Sequence, residues 1–98
     1  MSYKIVYCKQ AVKDIKNLQA ANLDTKAKEL IDVIRDNPFQ NPPRYEALVG
    51  NLSGLYSRRI NIQHRLVYQV YQEPCTENGQ TYDGVIKIIR MWTHYDKV

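Results

Sequence analysis

The sequence predicts an α+β domain: an N-terminal strand and an antiparallel helical hairpin packed on a twisted antiparallel β-sheet, all within residues 1–98. Three observations predict it. A β-prone run, Tyr3-Lys4-Ile5-Val6-Tyr7, opens the chain. Two stretches between Lys9 and Asp36 carry apolar residues at helical spacing. Beyond Pro38 that period gives way to runs of aromatic and β-branched residues separated by turn signals.

Each element has its own reason. Tyr3 to Tyr7 is rich in residues that favour extended backbone and reads as the first strand. From Lys9 to Ala20, the residues Ala11, Val12, Ile15 and Leu18 keep helical spacing. Asp24 can cap a second helix, in which Ala27, Leu30, Ile31 and Ile34 fall on one stripe. Asn37-Pro38 stops that helix, because the residue before proline avoids the α region. The short connection around Asn22 makes the two helices antiparallel neighbours. Asn41-Pro42-Pro43 is a loop, Tyr45 to Leu48 a short strand, and Gly50 to Gly54 a turn. Residues 55–62 and 64–72 read as two strands joined near Ile62. Residues 74–84 are polar and turn-rich, and Val85 to Trp92 is a nearly continuous apolar run, the pattern of a central strand covered on both faces.

Composition bounds the function. A chain of 98 residues forms one domain and buries ~60–65% of its unfolded surface. An apolar fraction of 44% excludes a disordered chain. No apolar run approaches a membrane span and no signal-peptide pattern opens the chain, so a cytoplasmic protein with no membrane partner is expected. Cys8 and Cys75 stand far apart, where a secreted scaffold of this size usually carries more cysteines. They read as reduced thiols, with a single disulfide as the alternative. Neither has metal-type spacing and there are only two histidines, so neither a zinc site nor a cofactor is expected.

The net charge is +4, mildly basic, and its distribution is uneven. Residues 1–36 mix seven cations with five acids, whereas residues 44–71 hold four arginines and one acid, Glu46. If Asn61, Ile62 and Gln63 form a three-residue connection, Arg59 faces Arg65 and both guanidiniums leave one face of the sheet. Like charges placed opposite one another destabilise a hairpin. At ~6 Å and an effective dielectric of about 20 the repulsion is roughly 3 kcal/mol, far less in open water. A bound anion removes the conflict. A two-residue turn would shift the register by one and remove the argument, and two solvated, splayed arginines fit the same residues. Arg58 alternates to the opposite face, which suits a structural or partner-binding role; it is grouped with Arg59 as a substrate-binding candidate.

Glu46 can act as a general base toward a ribose 2′-hydroxyl, or simply pair with Arg59 or Arg65. His94, next to Tyr95 near the end of the chain, titrates near neutrality and can protonate a leaving 5′-oxygen; an ordinary surface histidine is the commoner case. Tyr95 can stack on a base or bond a phosphate, or pack on the sheet. His64, Tyr68 and Trp92 read as structural. Glutamate, arginine and histidine suffice to cleave RNA when the substrate's own 2′-hydroxyl is the nucleophile.

Taken in order, Asn37-Pro38-Phe39, Glu46-Ala47-Leu48, Asn51-Leu52-Ser53-Gly54, Ser57-Arg58-Arg59-Ile60, His64-Arg65-Leu66-Val67-Tyr68 and His94-Tyr95 resemble the YoeB/Txe toxins of the RelE/ParE superfamily. The resemblance implies a RelE/ParE-like fold and a toxin of a type II toxin–antitoxin system, held inactive by a cognate antitoxin. It implies a metal-independent, ribosome-dependent endoribonuclease that cuts mRNA in the A site, leaving a 2′,3′-cyclic phosphate and a 5′-hydroxyl. Glu46 would be the general base. Arg65, helped by Arg59, would stabilise the pentavalent phosphate, His94 would be the general acid, and Tyr95 would position the substrate. Homodimers, and operator DNA bound only through the antitoxin complex, are further implications. Three features depart from the pattern. Val49 stands where relatives often have lysine, residues 72–84 form a longer segment implying an extended hairpin, and Asp96-Lys97-Val98 follows Tyr95. The competing expectations are a ParE-like gyrase poison and a catalytically inactive antitoxin-binding module of the same fold.

Overall fold

The computed structural model of the protein describes residues 2–92. The chain runs β1 (Tyr3–Tyr7), α1 (Lys9–Ala20), α2 (Asp24–Asp36), β2 (Tyr45–Ala47), a 3-10 turn (Gly50–Leu52), β3 (Leu55–Arg59), β4 (Arg65–Tyr71), β5 (Cys75–Glu77), β6 (Gln80–Tyr82) and β7 (Gly84–Arg90). Five strands form one sheet in the order β1-β7-β4-β3-β2, and β5 with β6 makes a separate hairpin.

The helical hairpin covers one face of the sheet. Ala11 and Leu18 of α1 and Ala27, Leu30, Ile31 and Ile34 of α2 share a core with Leu66, Tyr68, Ile86 and Ile88 of the strands. Each fully buried Leu or Ile contributes about 1.5–3 kcal/mol. The α2 stripe is buried as expected, whereas Val12 of α1 is exposed and Asp14 is buried instead. The turn between the helices is a Schellman motif. Asn22 adopts a left-handed conformation, its N–H bonds Gln19 O at 3.2 Å, and the Leu23 N–H bonds Leu18 O at 2.8 Å. This motif places Leu23 at the N-cap of α2. Asp24 therefore lies in the first turn, without a side-chain cap bond, and favours the helix through the dipole alone.

The sheet differs from the expected one in two ways. It is mixed: β2, β3, β4 and β7 are antiparallel neighbours, but β1 pairs in parallel with β7, from Tyr3 opposite Gly84 to Tyr7 opposite Ile88. A strand followed by two antiparallel helices re-enters the sheet far along the chain, and nothing in Tyr3–Tyr7 names its partner. The run of β7 is also buried on one face only. Gly84, Ile86 and Ile88 are buried toward the helices, while Val85, Lys87 and Ile89 are half-buried on the other face. Gly84 admits no side chain, because a Cβ there would collide with the Tyr71 carbonyl oxygen. The long segment after β4 does form a hairpin, turning at Asn78 and Gly79, both in left-handed conformation, with Glu77 reaching Lys4 of β1.

Asp14 fixes the end of β7. Its carboxylate accepts bonds from Arg90 Nε and the Met91 N–H, both at 2.9 Å, and from Gln10 Nε2 at 3.3 Å. Arg90 also donates to Trp92 O at 3.2 Å. Burial acts to raise the Asp14 pKa, but the bonds from Arg90, Met91 and Gln10 outweigh it and hold the carboxyl below its ordinary range. A depressed folded-state pKa adds stability that is present above the unfolded value and lost as pH falls through the folded one. Asp14→Asn should therefore lower the melting temperature at pH 7, with a cost of about 2–3 kcal/mol. The gap from wild type should close as the pH falls below about 4. A gap that stays constant from pH 7 to pH 2 in thermal unfolding would contradict this account.

Candidate active site

The β2–β3–β4 end of the sheet carries the arginine-rich segment. Asn61 shapes the connection between β3 and β4, its side-chain oxygen accepting from the Gln63 N–H at 2.9 Å and the His64 N–H at 2.7 Å. The Ile60 N–H bonds His64 O at 2.9 Å. The strands accordingly end at Arg59 and restart at Arg65, shorter than their apolar runs, and Arg59 lies directly opposite Arg65. That is the register of a three-residue connection. Glu46 lies opposite Ser57, and Ser57 opposite Val67.

Alternation then decides what each face presents. On the face away from the helices, Pro43, Arg44, Glu46, Ser57, Arg59 and Arg65 line a groove of about 310 Å3. Arg65 Nη1 lies 3.6 Å from Glu46 Oε1 and donates to Ser57 Oγ at 3.3 Å. The Glu46 side chain is 39% exposed and that of Arg65 only 15%. The ion pair is therefore open to water on its acidic side, and pairs of this kind contribute at most about 1 kcal/mol. Arg59 is exposed beside it. Val49, 82% exposed, is not among the groove residues.

Arg58 is corrected from a substrate-binding residue to a structural one. Its side chain is fully buried on the helix-facing side. Nε donates to Tyr68 Oη at 3.0 Å, Nη1 to Pro43 O at 2.6 Å, and Nη2 to Pro38 O at 3.0 Å and Gln40 O at 2.9 Å. The guanidinium also lies 5.0 Å from the Tyr45 ring centroid. Burial pushes the Tyr68 hydroxyl above the ordinary phenol range against the pull of the Arg58 charge, so Tyr68 stays neutral and donates to Pro38 O at 2.8 Å. Around this centre Phe39, Tyr45 and Tyr56 pack with ring centroids 5.2–6.1 Å apart.

His64 is structural, stacked on Trp92 with ring centroids 3.7 Å apart. His94 and Tyr95 lie outside the described residues. Sequence reasoning missed two groove residues, Arg44 and Ser57. Each stands two positions before a residue already singled out, Glu46 and Arg59, and strand alternation was the signal. Among the described residues no cluster of three or more His, Cys, Asp or Glu side chains could hold a metal. A second cavity, of about 330 Å3, lies between the helices and Tyr7; Arg35 on its wall is already paired with Asp32 at 3.0 Å.

A helical hairpin on this mixed, mostly antiparallel sheet is the RelE-like α+β fold. Residues 7–95 match the model of the YoeB-like toxin of bacterial type II toxin–antitoxin systems, and the chain belongs to that family. A YoeB/ParE toxin from Agrobacterium tumefaciens superposes with a TM-score of 0.74 at 29% identity, covering 94% of this chain and 99% of that one. The YoeB–YefM complex from Staphylococcus aureus gives 0.69 at 35% identity, covering 95% and 98%. Toxin YoeB of Escherichia coli (strain K12) is 51% identical over 45 residues, 46% of this chain and 54% of the relative. Toxin YoeB of a Synechocystis strain is 46% identical over 57 residues, 58% and 59%. The chain spans a little over half the length of these curated relatives.

The Arg58 cluster predicts a large loss on truncation. Arg58→Ala would take the shared donor from the Gln40 and Pro43 carbonyls, leave Pro38 O to Tyr68 alone and open a cavity beneath the loop, costing about 3–5 kcal/mol. The melting temperature should fall by more than about 10 °C. Arg58→Lys, which cannot span the acceptors, should recover less than half of that. A variant melting within about 2 °C of wild type would show that the loop is held by other means.

Proposed function

We propose that the chain is a single toxin domain acting in the cytoplasm as a ribosome-dependent, metal-independent mRNA endonuclease, restrained by a cognate antitoxin. The observation that carries this reading is the groove that joins Glu46, Ser57, Arg59 and Arg65 on one face. A phosphodiester drawn to Arg59 and Arg65 competes with Glu46 for the Arg65 guanidinium. The carboxylate released from that pair is then available to the neighbouring ribose. Glu46 takes the 2′-hydroxyl proton as the 2′-oxygen attacks phosphorus. Arg65 and Arg59 neutralise the charge gathering on the pentavalent phosphate. The P–O5′ bond breaks, and His94 protonates the departing 5′-oxygen while Tyr95 positions the substrate. The products are a 2′,3′-cyclic phosphate and a 5′-hydroxyl.

Support for an antitoxin partner comes from the related YoeB–YefM complex, and for a homodimer from the YoeB dimer of Staphylococcus aureus, 34% identical with a TM-score of 0.71. Operator DNA would be met only through the antitoxin complex. Among the described residues no helix is long and apolar enough to cross a membrane.

The test is a map of mRNA 5′ ends on programmed ribosomes. Wild type should cut within the A-site codon. Glu46→Gln and His94→Ala should each lower the rate by about 10²–10⁴-fold while melting normally. Intact mRNA with the wild-type protein would overturn the reading, and DNA-damage signalling with translation intact would point to gyrase instead.

A further inference from the structure

The groove holds one more arginine than the chemistry above uses. Tyr45 lies opposite Arg58 and Glu46 opposite Ser57, so one further step of the same register sets Arg44 opposite Arg59. Arg59 in turn faces Arg65. Three arginines therefore fall in one row on the groove side, Arg44 just ahead of β2, Arg59 at the end of β3 and Arg65 at the start of β4, with Glu46 in the adjacent row. Strands lie about 4.8 Å apart, so the row spans about 10 Å. That is more than the two non-bridging oxygens of one phosphate can bridge.

Opposed like charges are unfavourable, and the Arg44–Arg59 end of this row has no carboxylate among the described residues to relieve it. The groove's carboxylate, Glu46, pairs with Arg65. Arg44 and Arg59 are exposed, and neither makes a hydrogen bond or ion pair with another described residue. The backbone that carries Arg44 is nonetheless fixed, because the preceding Pro43 carbonyl is held by buried Arg58 at 2.6 Å. A cation on a rigid support, with no partner among the described residues and beside two others in line, matches an extended polyanion and not a single small anion.

We propose that the groove takes two successive phosphodiesters of one RNA strand, with Arg44 holding the phosphate next to the scissile one. The inference rests on the nucleolytic reading above. Arg44 acts here in substrate binding, and its loss should appear in KM and leave the chemical step alone.

The experiment uses the full chain on programmed ribosomes. The mRNAs are native or carry a single methylphosphonate, which removes one backbone charge, at the phosphate on either side of the cleaved bond. Arg44→Gln should lower kcat/KM on native mRNA about tenfold, with kcat at saturation changed less than about twofold and Arg44→Lys retaining most of the affinity. One of the two methylphosphonates should cost wild type about tenfold but cost Arg44→Gln less than about twofold, since both changes remove the same contact. Equal kcat/KM for wild type and Arg44→Gln, or losses that multiply, would overturn the inference while the nuclease reading stands. Absence of cleavage by wild type would overturn the nuclease reading and the inference together.

Discussion

A buried guanidinium organises the functional half of this molecule. Among the described residues no carboxylate pairs with Arg58, and an isolated charge in the interior would be prohibitive. Three backbone carbonyls, the Tyr68 hydroxyl and the face of Tyr45 stand in for water. Those acceptors come from a loop that has little regular structure of its own, between α2 and β2. Arg58 thereby ties the end of the helical layer to the edge of the sheet. It also locks the register of β3. A slip by one residue would turn Arg58 out to the groove face and bring Ser57 or Arg59 to its place. Burial of Arg58 and the outward projection of Ser57 and Arg59 are one constraint seen from two sides.

A second polar clamp works in the same manner at the end of β7. Asp14, buried in α1, holds Arg90 and Met91, and Arg90 holds the Trp92 carbonyl. Trp92 stacks on His64, the neighbour of Arg65. Each clamp acts on backbone: Arg58 on Pro43, just ahead of the groove residues Arg44 and Glu46, and Asp14 with Arg90 on residues 91 and 92. The apolar core makes the fold stable, and the buried polar groups fix the backbone at Pro43 and at Met91.

Local physics was legible in the chain, and partnership was not. The stripe of Ala27, Leu30, Ile31 and Ile34 was readable because helical periodicity is a local signal, and Asn37-Pro38 because proline acts on its own neighbours. The facing of Arg59 and Arg65 followed once Asn61 to Gln63 was taken as the connection. The parallel pairing of β1 with β7 was not readable, since strand partners are chosen by distant packing. Asp24 was misjudged because the Schellman motif at Asn22 takes over the capping of the turn. Arg58 looked like a substrate contact because charge composition is visible in a sequence, whereas the carbonyls of Pro38, Gln40 and Pro43 that surround it converge only in three dimensions. Arg44 was overlooked for the converse reason: an isolated arginine after two prolines gives no motif, and its significance appears only with the strand opposite.

The electrostatics of the groove follow from these placements. With the Arg58 charge satisfied internally, the cations left for the groove are Arg44, Arg59 and Arg65, against the single carboxylate Glu46. The pair between Glu46 and Arg65 is long, 3.6 Å, and half open to water, so it opens at little cost. Under the nucleolytic reading proposed above, an incoming phosphate would relieve the repulsion along the arginine row and take Arg65 from Glu46 in the same step. A groove in which Glu46 were buried in a tight ion pair would bind anions less readily and hold its base captive. On the proposed reading, the looseness of that one contact would let a single constellation serve as both an anion site and a source of base.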